Sequence, residues 1–185
     1  MIDKKRIEKA VLDILYAVGE DPLREGLLDT PKRVANMYGE IFSGINTDPI
    51  ANITTFKDYT YEEIVLVKDI IAYSMCEHHL LPFWGTINIC YIPKNNNIIG
   101  LSKLARIIDA LSKRPNIQEK LCESVAEALV EAIDAKGVYV YMEAEHTCMT
   151  MRGVKKVGCK TITIAQRGVV RSDKDLKNEI MMLMK

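Results

Sequence analysis

All three histidines of this 185-residue chain fall in two short clusters, Cys76-Glu77-His78-His79 and His146-Thr147-Cys148. Thiolate and imidazole suit a soft divalent metal, and zinc accepts four-coordinate sulfur and nitrogen sets with no geometric demand from its d-electrons. Cys76 and His79 have the three-residue offset of a metal knuckle. Side chains alternate along an extended chain, so His146 and Cys148 share a face, whereas adjacent His78 and His79 diverge and only one of them binds directly. Cys76, His79 and Cys148 then make three protein ligands, leaving a fourth position for water as in a catalytic zinc site. His78 and His146 become candidates for proton transfer. The competing reading is that these are satisfied core residues, because free cysteine packs as a small hydrophobe.

A second constellation is Gly100-Leu101-Ser102-Lys103-Leu104-Ala105-Arg106. On a helix, Lys103 and Arg106 share a face near the N-terminus, where backbone donors and the dipole also favour an anion. That combination suits phosphate, although a solvated helix face has the same pattern. Gln118 and Glu119 stand at the start of a further helix. A carboxylate accepts two parallel hydrogen bonds from an amidine-like edge such as that of guanine, and an adjacent amide satisfies further groups; a first-turn acid with no ligand is the alternative. Arg152, with Lys155 and Lys156 behind it, follows the second metal cluster and adds positive charge there.

The elements that must hold these groups can be read from periodicity. Ile7, Ala10, Val11, Ile14, Leu15 and Val18 have helical spacing, with Asp3 as cap and Gly19 as stop. A second helix starts at Thr30-Pro31 and buries Val34, Met37, Tyr38, Ile41 and Phe42. Residues 45–61 read as a loop, and 64–73 and 86–92 as strands, with a turn at Pro93 to Asn97. Ser102 caps a helix with Leu104, Ile107, Ile108 and Leu111 on its apolar face; another helix runs from Ile117 to Ala135 and closes at Gly137. Residues 138–142 and 161–165 read as strands, and Ser172 caps a C-terminal helix. Paired helices between paired strands predict an α+β domain whose antiparallel sheet is covered on one face.

Composition narrows the function classes. Twenty-five basic residues balance 25 acidic ones, so the chain lacks the global field of a non-specific nucleic-acid binder. No run of about 18 apolar residues predicts a membrane span, and charges throughout residues 1–18 are unlike a signal peptide, so the chain reads as cytoplasmic. Five cysteines, an odd number, argue against a disulfide framework. Cys90 and Cys122 read as core residues, and the methionines at 181–184 as packing surface.

Taken together, the motifs resemble those of the GTP cyclohydrolase I family. The stretches that carry the resemblance are Cys76-Glu-His-His-Leu-Leu-Pro82, Ile99-Gly-Leu-Ser-Lys-Leu-Ala-Arg-Ile107, Ile117-Gln-Glu-Lys-Leu121, Glu145-His-Thr-Cys-Met-Thr-Met-Arg-Gly153 and, more weakly, Thr30-Pro-Lys-Arg-Val-Ala35. Several ordered motifs are far more specific together than singly. The resemblance implies a tunnelling fold, an N-terminal helical region at 1–60 and a catalytic region at 61–185, assembling as a homodecamer of two pentamers with active sites between subunits. It implies Zn2+ on Cys76, His79 and Cys148, acid/base roles for His78 and His146, and guanine recognition by Gln118 and Glu119. Lys103, Arg106 and Arg152 would hold the triphosphate of GTP, Arg33 would reach it from a neighbouring subunit, and Leu101 and Ser102 would border the base. The alternatives are another pterin or deazaguanine enzyme of that fold, or a non-enzymatic zinc-stabilised purine- or pterin-binding protein of that fold.

Overall fold

The computed structural model describes residues 2–57 and 60–184. Helix α1 (Lys4–Ala17) begins where the Asp3 carboxylate accepts a hydrogen bond from the Arg6 backbone N–H at 3.0 Å, so the expected cap forms. Helix α2 (Thr30–Ile41) has Pro31 in its first turn, where the missing N–H of proline leaves no helix bond unmade. The two helices pack on each other, yet of their residues only Ala35 is fully buried. The predicted buried stripe of α2 is therefore half open, with Met37 46% exposed. A pair of helices cannot enclose both apolar faces without a third layer.

Residues 45–61 are not wholly a loop: β1 (Thr55–Phe56) pairs with β4 (Ile98–Ile99) in a small separate sheet. The main sheet has five strands, in the order β5-β2-β3-β6-β7. These are β2 (Val65–Cys76), β3 (Leu81–Ile92), β5 (Pro115–Asn116), β6 (Gly137–His146) and β7 (Lys160–Gly168). Neighbours are antiparallel except for the short parallel β2–β5 pair. Side-chain alternation divides each strand: Phe83, Ile87, Ile89, Val138, Val140, Met142 and Ala165 face a continuous core. Gly85 lets β3 and β6 close up, because a Cβ there would collide with the Glu143 carbonyl and the Ala144 backbone.

Helices α3 (Leu101–Ser112) and α4 (Gln118–Ile133) cover this inner face. The residue expected to cap α3, Ser102, lies inside it; Gly100 is the cap residue and makes no side-chain cap bond. Helix α4 stops at Asp134, which takes a left-handed conformation with φ 47°, and Gly137 instead opens β6. Two short helices follow the last pair of strands, α5 (Thr147–Thr150) after β6 and α6 (Val169–Ser172) after β7. The C-terminal helix α7 (Lys174–Met184) is capped by Asp173, not Ser172: the Asp173 carboxylate accepts from the N–H groups of Asp175 and Leu176. Ile180 on α7 packs with Cys90, Tyr139 and Val170 against the opposite sheet face, so that face is partly covered and not simply exposed. Beyond the reach of α7, Ile71, Tyr73, Trp84 and Ile162 remain exposed.

Candidate active site

One end of the main sheet gathers the chemistry. Strand β2 ends at Cys76, β3 leaves from Leu81, and β6, antiparallel to β3, ends at His146 at the same edge. Strand β5 runs parallel to β2 and delivers Asn116 opposite Cys76, two residues before Gln118 begins α4. Residues 77–80 close the β2–β3 connection, with the Leu80 N–H donating to the Cys76 carbonyl at 2.8 Å. Leu80 takes φ 51° there, a left-handed backbone that leucine rarely adopts. The turn folds His79 back toward Cys76.

Cys76, His79 and Cys148 meet, with their ligand atoms all within 4.8 Å of one another. Among the described residues this is the one such group. Zinc–sulfur and zinc–nitrogen bonds of about 2.3 and 2.0–2.1 Å would need these atoms roughly 3.5–3.8 Å apart in a tetrahedron, so a small contraction suffices. Burial and the neighbouring Cys76 push the Cys148 thiol up from its ordinary range. A divalent cation beside the Cys148 thiol would offset that resistance to ionising. The donor set fits a metal ion.

Around the cluster, His78 is exposed, and its Nδ1 lies 3.7 Å from Cys76 Sγ. The Arg152 guanidinium donates to His79 Nε2 at 3.1 Å and to the Cys148 carbonyl at 3.3 Å. This arginine thus contacts two of the three residues of the Cys76–His79–Cys148 group.

His146 is held differently. Its ring stacks on Phe83, with centroids 4.5 Å apart and planes within 7°, and Nε2 lies 2.8 Å from Gln118 Oε1. Burial pushes the imidazole pKa below its ordinary value, while the negative charge of Glu119 acts in the opposite direction. Gln118, expected to face guanine, is only 1% exposed. Its amide nitrogen has three acceptors, Met142 O at 3.1 Å, Thr161 O at 3.0 Å and Thr163 Oγ1 at 3.1 Å. That amide is already saturated inside the protein. Glu119, one residue on, is exposed.

Lys103 and Arg106 line a small cavity of about 140 Å³ with Asp48 and Asn52, and none of Cys76, His79 and Cys148 is among the described residues that line it. Leu101 and Ser102 are exposed at the start of α3. Arg33 is exposed on α2 and pairs with Asp29 at 3.3 Å.

Two residues of the site escaped the sequence reading. Phe83 and His146 are register partners across β3 and β6, and strand register is not legible from separated segments. Asn116 is 3% exposed and bonds Ser74, Leu111 and Arg114. A buried side-chain amide between two helices was its only available signal.

Known proteins resemble this chain in sequence and in fold. The sequence model of the GTP cyclohydrolase I family matches residues 7–185. A GTP cyclohydrolase 1 from Caldanaerobacter subterraneus subsp. tengcongensis is 57% identical over 183 residues, 99% of this chain and 97% of that one. One from Bacillus subtilis is 54% identical over 180 residues, covering 97% and 95% of the two chains. Among solved structures, an archaeosine synthase QueF-Like in the apo form superposes with a TM-score of 0.50 at 16% identity, covering 59% of this chain and 97% of that one; this is a likeness of fold. The chain belongs to the GTP cyclohydrolase I family.

Proposed function

We propose that this chain hydrolyses GTP to 7,8-dihydroneopterin triphosphate and formate, using a zinc ion held by Cys76, His79 and Cys148. The observation that carries the reading is the convergence of those three ligand atoms at the sheet end that also holds His146. When bound there, zinc supplies Lewis acidity and a water activated for attack at neutral pH. The target carbon lies between the two imidazole nitrogens of guanine and becomes electrophilic once a ring nitrogen is protonated.

His146 supplies that proton; its lowered pKa makes the protonated form a stronger acid. Adding one water opens the ring, a second releases formate, and loss of one water closes the new ring after the ribose has opened and rearranged. The net consumption is one water. His78, exposed beside Cys76, shuttles protons in those later steps. Glu119 accepts from the N–H edge of guanine, and Leu101 and Ser102 border the base. Gln118 contributes through His146, since its own donors are occupied.

Arg152 beside the cluster, with Lys103 and Arg106 on α3, neutralises the triphosphate. Arg33, exposed on α2 and paired only loosely with Asp29, is free to reach the triphosphate bound at a neighbouring copy. We infer a homo-oligomer of the tunnelling fold, a decamer of two pentamers, with residues 1–60 as a helical region and 61–185 as the catalytic region. The exposed Ile71, Tyr73, Trp84 and Ile162 support assembly, because large apolar side chains gathered on one exposed sheet face mark an interface. No nucleic acid or membrane takes part in this reading, and we assign the protein to the cytoplasm; among the described residues no helix is long and apolar enough to cross a membrane.

The test is an assay of zinc-loaded, assembled protein with GTP, following formate release and pteridine fluorescence. Formation of both products is expected. Their absence would end the proposal.

A further inference from the structure

Gln118 combines three properties that a base-reading amide lacks. It is 1% exposed, its nitrogen is surrounded by oxygen atoms, and its oxygen faces His146 Nε2 at 2.8 Å. The amide orientation follows from its neighbours. Met142 O and Thr161 O are carbonyls that can only accept, so turning the amide over would set its oxygen against two others. Gln118 Oε1 is therefore the atom toward His146. An acceptor there requires His146 Nε2 to carry hydrogen and donate it.

Phe83 limits the ring in the other dimension. It is fully buried and lies parallel to the imidazole with planes within 7°, so rotation of the histidine ring out of its plane is blocked. Edge and face are both held, which leaves Nδ1 as the ring nitrogen without a fixed partner among the described residues. Holding one imidazole nitrogen through a hydrogen bond is a general way of setting the tautomer at the other.

We propose that Gln118 is the positioning residue for His146, holding its Nε2–H inward so that proton exchange with substrate runs through Nδ1. This rests on the acid/base role given to His146 above. The pairing itself does not, and it can be examined separately.

The experiment uses full-length, zinc-loaded protein labelled with 15N-histidine. The chain has only three histidines, so solid-state 15N spectra give few ring signals, and those of His146 are identified by their loss in His146→Gln. We expect neutral His146 to show a protonated Nε2 and an unprotonated Nδ1. An Nδ1–H tautomer, or averaging between the two, would overturn the proposal. In Gln118→Leu that signature should give way to a mixture, and kcat should fall roughly 10–100-fold with KM for GTP within about twofold of the parent. A raised KM at unchanged kcat would instead make Gln118 a substrate ligand and sink the idea. If Gln118→Leu does not fold, the parent spectrum still decides. That spectrum also decides if the protein releases no formate, so failure of the reaction and failure of the pairing remain distinct.

Discussion

Asn116 stands directly across from Cys76 in the parallel pairing of β5 with β2, and its carbonyl accepts the N–H of Glu77, the first residue of the turn that carries His79, at 3.0 Å. The side-chain amide meanwhile donates to Ser74 Oγ at 3.0 Å and Leu111 O at 2.9 Å. One buried residue thereby ties the turn that carries His79 to the end of α3 and the start of α4. Replacing Asn116 by Ala leaves buried acceptors without a donor, and a loss of about 1–3 kcal/mol in stability is expected. Urea unfolding measures it, and zinc affinity from competition with a chromophoric chelator should weaken in the same variant. Unaltered zinc binding would show that the turn does not depend on this tie.

Metal removal should abolish formate release, and zinc re-addition should restore it, since the cluster of Cys76, His79 and Cys148 is the proposed binding set. Elemental analysis of the chelated sample establishes that the metal has left. Full turnover by protein shown to be metal-free would contradict the assignment. Cys148→Ala should lose zinc even when purified in its presence.

His146→Ala should lower kcat by about 10²–10⁴-fold, the usual contribution of a general acid or base. Zinc content and GTP affinity should stay near the parent values, because His146 contacts Phe83 and Gln118. Isothermal titration with GTP separates the two effects, and an equal loss of binding and turnover would argue against the acid/base role.

Glu119→Gln tests purine selection. An adenine base lacks the N–H edge that satisfies a carboxylate, and leaving such a group unpaired can discriminate by roughly 10⁴–10⁵-fold. The variant is expected to lose most of its kcat/KM for GTP while the signature of zinc binding persists. Retention of kcat/KM within a few fold would place base recognition elsewhere.

Stability should fall at high pH. Burial raises the Cys90 thiol to about 12 and the Cys122 thiol to about 11, each from an ordinary value of 9.0. Between about pH 9 and 12 the unfolded chain has released these protons while the folded one still holds them, so fewer protons are bound on unfolding and stability declines as pH rises. Both contributions are complete below the ordinary thiol range. Denaturation midpoints across that range should slope less steeply in Cys90→Ala combined with Cys122→Ala than in the parent; an identical slope would count against the assignment. At pH 8, a thiol reagent should find exposed Cys159 before either of them.

Gly85→Ala places a methyl group against the Glu143 carbonyl and the Ala144 backbone. Neither can swing away as a flexible side chain would, and overpacking of this kind costs about 1–3 kcal/mol. A lower Tm by calorimetry is expected, and an unchanged one would mean that β3 and β6 separate freely.

The elements whose signals are local were legible before any fold was known. Asp3 caps α1 through its own carboxylate, and the apolar stripes of α3 and α4 follow helical spacing because each faces one sheet. Boundaries set by backbone shape were less so. Asp134 ends α4 in a left-handed conformation, a task that the sequence pattern assigned to Gly137. The pair β1–β4 joins residues more than forty positions apart and has no local signature in two residues per strand.

The site divides along the same line. Residue type and spacing marked Cys76, His79 and Cys148 as a candidate metal set, because the chemistry of thiolate and imidazole belongs to the side chain wherever it is placed, and the fold brings their ligand atoms within 4.8 Å of one another. Spacing also marked Gln118 as polar and adjacent to Glu119. What Gln118 touches was decided only by tertiary structure: the pairing of β6 with β7 brings Met142, Thr161 and Thr163 around its amide nitrogen, and the register of β3 sets Phe83 against His146. A hydrogen bond is short-ranged and directional. Its partners are therefore determined by how distant strands align, and no residue's own chemistry carries that information.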